Sequence, residues 1–384
     1  MNALGVRCLG AATLLATVLV AGIPSAQAAA GPTLSVVASG LENPRGLKFG
    51  PDDQLYVAEG GLGGTQTTTP QDCPQVRAPI GPYSGGFTAR ISRVDPRTGT
   101  RTTIADHLPS SQTSPAEGSG VSGVADVAFI DDRLYALVSG AGCSHGLKGT
   151  VNSILRVEHN GRTTQVADLS GFLMAHPVAH PDPVDFEPDG TWYSMVARGG
   201  RLYVVEPNHG EVDVVTPHTG AISRLVDVSA SQGHIVPTSL VRYHGGFLLG
   251  NLGQFVPTSP VPVGVRRVAR DGSISLVAAG LTGVTGVAVH HGRIYALEAF
   301  TGFFAPTPAV ASTGTVVRLN PKTHAWETVV TGLSFPTAMT FDHQGDLFIS
   351  NKGFGQPTNT AGEIVKVNLG REDRDAGGDD DNDA

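Results

Sequence analysis

Six places in the sequence share one pattern: a short run opens on Leu, Ile or Phe, and four positions later stands Glu59, Glu206, Asn251, Glu298 or Asn351, or, as the exception, Val138 followed at once by Ser139. Two kinds of chemistry use such a set. Carboxylates and amides at strand ends accept hydrogen bonds from backbone N–H groups and fix the loops nearby. Carboxylates that converge orient a polar ligand, hold a hard cation, or act as a general base. Recurrence in nearly every repeat speaks for loop capping; Glu59, Glu206 and Glu298, on alternate repeats, carry the ligand alternative. A second set lies near the start of each run's partner: Arg45, Ala125, Tyr193, Thr238, Thr285 and Thr337. One cation, one phenol and three hydroxyls make a polar funnel that can pair with an anion. They lack the anionic oxygens a divalent cation normally takes.

The histidines offer less. His176 and His180 have the four-residue spacing of a zinc pair on a helix, but Pro177 and Pro181 follow them and forbid a helix there. His209, after Glu206-Pro207-Asn208, belongs with the first set. No Gly-x-Ser-x-Gly elbow and no helical phosphate loop is present.

The elements that must position these residues are hairpins. Val127–Val138, Met195–Glu206, Leu240–Asn251 and Val287–Glu298 read as alternating strands joined by tight polar turns such as Asp131-Asp132 and His291-Gly292, and both ends of the chain repeat the unit. A second hairpin follows each, turning at Asn160-Gly161, Thr219-Gly220 or Asp271-Gly272. Two hairpins make the four-stranded blade of a propeller, and six copies predict a six-bladed, all-β propeller. Residues 34–38 match a fourth strand and residues 362–367 a third, so the N-terminal strand is expected to pair with the C-terminal blade and close the ring. Residues 60–87, 110–120 and 172–191 read as insertions.

Composition agrees. With 50 Gly and 26 Pro in 384 residues and 16% charged residues, the chain is too rich in breakers for a helical bundle, and at 40% apolar too hydrophobic for disorder. A net charge of −8 leaves no basic footprint for nucleic acid. Residues 371–384 hold seven acids and two arginines and read as a disordered acidic tail. Arg7, an apolar run and Ala26-Gln27-Ala28 predict a signal peptide over 1–28, an exported chain, and a propeller over 29–370 with no membrane span. Export leaves Cys73 and Cys143, an even pair on equivalent sides of neighbouring blades, and predicts a disulfide between them.

The segment Pro-Arg-Gly-Leu-Lys-Phe-Gly-Pro-Asp-Asp-Gln-Leu-Tyr-Val-Ala-Glu-Gly-Gly (44–61) resembles the opening blade of the ScyD/ScyE family of exported propellers, and 165–169 with 181–193 resemble its third-blade segment. The resemblance covers roughly residues 34–369 and implies a fold and an export route rather than a reaction. Among wider relatives, gluconolactonases hold a divalent metal with Glu, Asn and Asp near the channel entrance. Arg45, Tyr193 and threonines occupy the matching ring here, so those ligands do not carry over, and the channel histidine of streptogramin lyases and the His/Arg/Asp set of quinoprotein dehydrogenases have no counterpart.

The expectation is therefore an exported binding or scaffold protein. Its small polar ligand or envelope partner would meet the face of Glu59, Glu206, Asn208, Asn251, Glu298 and Asn351, with Arg45 and Tyr193 deeper in. The alternative is a Ca²⁺- or Mg²⁺-assisted lyase or hydrolase of small cyclic substrates, with one of the three glutamates as base and Tyr193 as acid. No cofactor is firmly implied.

Overall fold

The tight turns set the hairpins. In blade 5 the strands Val284–His290 and Arg293–Glu298 are joined by His291 (φ 48°) and Gly292 (φ 67°). Two successive left-handed residues match the twist of the strands they connect. His244-Gly245 and Gly199-Gly200 repeat the device in blades 4 and 3.

The computed structural model describes residues 32–253, 262–300, 311–355 and 358–369. The expected leader and acidic tail lie outside them. Six antiparallel sheets form a six-bladed propeller. The inner two strands of blades 1 to 6 are Pro44–Phe49 and Leu55–Glu59; Val124–Ile130 and Arg133–Val138; Ser194–Arg198 and Arg201–Glu206; Pro237–Tyr243 and Gly246–Asn251; Val284–His290 and Arg293–Glu298; and Ala338–Phe341 and Leu347–Asn351. The N-terminal strand Thr33–Leu41 pairs with Gly362–Asn368, from Thr33 opposite Asn368 to Leu41 opposite Gly362, as the outer strand of blade 6. The ring closes as the repeat demands.

The core is divided among the blade interfaces. Side chains alternate along each strand, so Val204 enters the cluster between blades 2 and 3 while Val205 enters that between blades 3 and 4. Six such clusters, one per interface among the described residues, hold the ring.

The insertions are more ordered than loops. Ser84–Val94 and Arg101–Gln112 are long strands that run into the expected insertions, and Val121–Ser122 adds a fifth strand to blade 1. Packing decides this: a Cβ on Gly85 would stand 2.6 Å from His145 O, so only glycine lets the strand lie against the loop of blade 2. A helix, Leu169–Ala175, occupies the start of the third insertion and ends at His176, where Pro177 stops it. Cys73 and Cys143 form the expected disulfide, with Cα atoms 6.2 Å apart. Among the described residues no helix is long and apolar enough to cross a membrane.

Candidate functional site

The strand-end acids and amides close loops. Glu59 accepts from Glu42 N at 2.7 Å and from Ser92 Oγ; Glu206 from Thr191 N at 2.9 Å and His209 N at 2.6 Å; Glu298 from Thr282 N at 2.6 Å and Thr315 Oγ1 at 2.8 Å. Asn351 accepts from Ser334 N at 2.8 Å, and Asn251 accepts from Gly264 N and donates to Ile235 O, both at 3.0 Å. Each side chain reaches back to the segment entering its own blade. Glu59, Glu206 and Asn251 are wholly buried, and burial raises the Glu59 carboxyl above its ordinary range and pushes Glu206 up to about 7 despite those N–H donors. These residues sit at one face of the ring, as their spacing predicts, but their polar atoms are turned to backbone and side-chain partners within their own blades. Asn208 Nδ2 lies farther out and donates to Asp185 Oδ1 at 2.8 Å.

The inner set clasps one blade to the next. Thr238 Oγ1 donates to Val284 O at 2.6 Å, Thr285 Oγ1 to Pro336 O at 3.0 Å and Thr337 Oγ1 to Pro44 O at 2.7 Å. Ser194 Oγ donates to Thr238 O at 2.7 Å, whereas Arg45 donates to Val121 O on the fifth strand of its own blade. At the junction of blades 2 and 3 Asp126 Oδ2 accepts from Met195 N at 2.8 Å. Asp126 is the functional group the spacing misses: the set assigns blade 2 an alanine, Ala125, and the acid is its neighbour. Gly46 makes the room, since a Cβ there would fall 2.0 Å from Asp126 Oδ1.

Inside this ring is a cavity of about 300 Å³, at the small end of ligand sites. Arg45, Lys48, Arg242 and Asp126 are its charged residues, three cations to one carboxylate. Tyr193, from blade 3, donates to Thr337 O of the opposite blade 6 at 2.9 Å, so its ring spans the channel. Burial, partly offset by Arg45, pushes the phenol up to about 12 and keeps it a donor. Burial also lowers the Arg45 guanidinium and raises the Asp126 carboxyl. Arg45 lies 5.5 Å from the ring centroid of Phe354, and no carboxylate among the described residues is within ion-pair range of it. Thr191, also on the wall, donates its hydroxyl to the buried Glu187.

The expected histidines stay apart. His176 Nδ1 bonds Phe172 O at 2.9 Å, and His209 Nε2 bonds Glu187 O at 2.8 Å. The channel mouth does not suit the divalent metal of gluconolactonase-like propellers: a guanidinium stands in the ring, the threonine hydroxyls donate to carbonyls, and the strand-end carboxylates hold backbone N–H groups. Among the described residues no three His, Cys, Asp or Glu side chains are grouped to hold a metal ion.

No protein-family model matches the chain, and no curated protein matches it. Solved structures share its fold. A gluconolactonase from Xanthomonas campestris aligns at 14% identity over 88% of this chain and 89% of its own, with a TM-score of 0.52. The PQQ-bound aldose sugar dehydrogenase of Streptomyces coelicolor aligns at 14% identity over 88% of this chain and 98% of its own, with a TM-score of 0.53. At that identity the likeness is one of architecture, and what this chain is similar to is the six-bladed propeller of gluconolactonases and sugar dehydrogenases.

Proposed function

We propose that the central channel is the functional site and that it holds a small hydroxylated anion, such as a sugar acid. The observation that supports this is the charge of the inner wall: Arg45 and Lys48 against Asp126, in a chain whose net charge is −8. A half-buried guanidinium without a carboxylate partner is stabilised by an anionic ligand, and the channel hydroxyl oxygens, their own protons given to carbonyls, can accept from a hydroxylated one. The expected binding role stays, but it moves inward from the strand-end ring to Arg45 and Tyr193.

A second reading is the hydrolysis of a cyclic ester, the lactone of such an acid. The gluconolactonase-like fold supports it, as analogy. Water adding to the lactone carbonyl builds charge on the carbonyl oxygen, which Arg45 would face, and the product is the hydroxy acid of the first reading. No step is assigned to a metal or a quinone. The leader pattern, the disulfide and the ScyD/ScyE resemblance support work outside the cytoplasm.

Calorimetry with gluconate and other hydroxy acids, beside a proton-release assay on their lactones, tests both. Binding should weaken roughly 10- to 100-fold in Arg45→Gln, the loss of one charged hydrogen bond, and less in Tyr193→Phe. Lactone turnover lost in Arg45→Gln would put hydrolysis first. Neither binding nor turnover across the panel would overturn the channel as the site.

A further inference from the structure

Blade 3 breaks a rule that blades 1, 5 and 6 keep. Opposite the strand-end residue on the third strand stands a group that complements it: Arg90 opposite Glu59, Thr315 opposite Glu298, Glu363 opposite Asn351. Thr315 donates to Glu298 and Asn351 Nδ2 donates to Glu363 at 2.7 Å. In blade 3 Glu206 faces Glu211, acid against acid. Two residues along the third strand, blades 1 and 4 place donors, Ser92 to Glu59 and Arg266 to Asn251 at 2.6 Å, whereas blade 3 places Asp213. Like charges opposite one another destabilise a sheet, and buried they cost more.

All three acids are fully buried. Glu211 and Asp213 share the face of Val215, whose cluster lies between blades 2 and 3. Arg224, opposite Asp213, supplies one positive charge; its Nε goes to Glu211 Oε2 and its other nitrogens to the carbonyls of His176 and Pro177. Glu206 has Thr191 and His209 N–H on its two oxygens. Glu211 Oε1 and both oxygens of Asp213 have no hydrogen-bond partner.

We infer that Glu211 and Asp213 form a cation site in the interface of blades 2 and 3, away from the channel, for a hard oxygen-seeking ion such as Ca²⁺. Three carboxylates against one guanidinium leave a formal charge of −2, which one divalent cation neutralises. Three open carboxylate oxygens begin its shell, and water completes it. No group of three His, Cys, Asp or Glu among the described residues is placed to hold a metal ion, so the site rests on two side chains, Glu211 and Asp213. The ion does for blade 3 what Ser92 and Arg266 do for blades 1 and 4.

The test compares melting of chelator-treated protein with and without millimolar Ca²⁺, together with a calorimetric titration. A rise of several degrees in Tm, a stoichiometry near one, and loss of both in Asp213→Asn are expected. Arg45→Gln should keep the Ca²⁺ response and Asp213→Asn the channel ligand, so this inference and the channel reading fail separately. No Tm shift and no heat with Ca²⁺ or Mg²⁺ on the unaltered protein would overturn the site, and so would a response that survives in Asp213→Asn. Should that variant not fold, Glu211→Gln takes its place.

Discussion

Glu206 shows how a strand-end residue serves the loop behind it. Its two oxygens receive Thr191 N and His209 N, so it fixes the segment that carries Thr191, Trp192 and Tyr193 to the channel wall. Burial pushes its carboxyl up to about 7. A folded-state pKa above the unfolded value means the native state binds the extra proton. The resulting stability is full below about 4.5 and is lost as pH rises through about 7. Glu187, Glu211 and Asp213, raised by the same desolvation, share that sign. Urea unfolding in chelator should therefore show stability declining from pH 4.5 to 7, by up to about 1.4 kcal/mol per pH unit for each such group. Glu206→Gln, a permanently neutral copy, should make that slope shallower by one group's share. An unchanged slope would mean that Glu206 stays ionised on its N–H donors.

At the scale of elements, the inner strands of blades 3 to 6 are each bound to the next blade by a single side chain donating to its carbonyl. Thr238→Val and Thr337→Val keep shape and remove one donor each from a buried carbonyl, so each should cost about 1–2 kcal/mol. Blades 4 and 6 are not neighbours, so the double variant should show the sum within about 0.5 kcal/mol in denaturant unfolding. A cost well above the sum would mean that the ring acts as one cooperative clasp. The hairpins, the blade number, the closure and the threonine positions were legible because they repeat locally. Asp126 was not, because a repeat shows only the residue types that recur: the acid aligns with Gly286 of blade 5, beyond the same register shift, and no other blade has a carboxylate there. Nor do Lys48 and Arg242 stand out, since only closure of the ring brings them to one cavity. The strands in the insertions were hidden because Ser84–Val94 is held by what packs on Gly85, not by its own alternation. The Glu and Asn spacing located the strand ends correctly. Spacing does not say which way a carboxylate turns, and here each turns to its own loop.

At the scale of the molecule, closure and cross-linking act on different parts. Pairing of Thr33–Leu41 with Gly362–Asn368 joins the ends of the chain through the ring, whereas Cys73–Cys143 ties two entrance-face loops of blades 1 and 2. The linked residues are 70 apart, and fixing them removes about 4 kcal/mol of unfolded-state chain freedom in the entropy model. Those loops also have native ties of their own: Gln66 pairs with Gly85, Thr68 Oγ1 donates to Cys143 O at 2.6 Å, and Tyr83 donates to Glu187. A Cys73→Ser/Cys143→Ser variant should therefore keep the β-sheet circular dichroism of the native ring while melting several degrees lower. Most of its loss should appear as easier global unfolding rather than as loop release. Limited proteolysis separates the two outcomes. Cleavage within residues 60–87 under native conditions would show that the bridge holds the loop in place; resistance there with a lowered Tm would show that it acts on the unfolded chain. The channel should keep its ligand in the second case, because Arg45, Tyr193 and the threonine clasp are set by the inner strands, which the bridge does not touch.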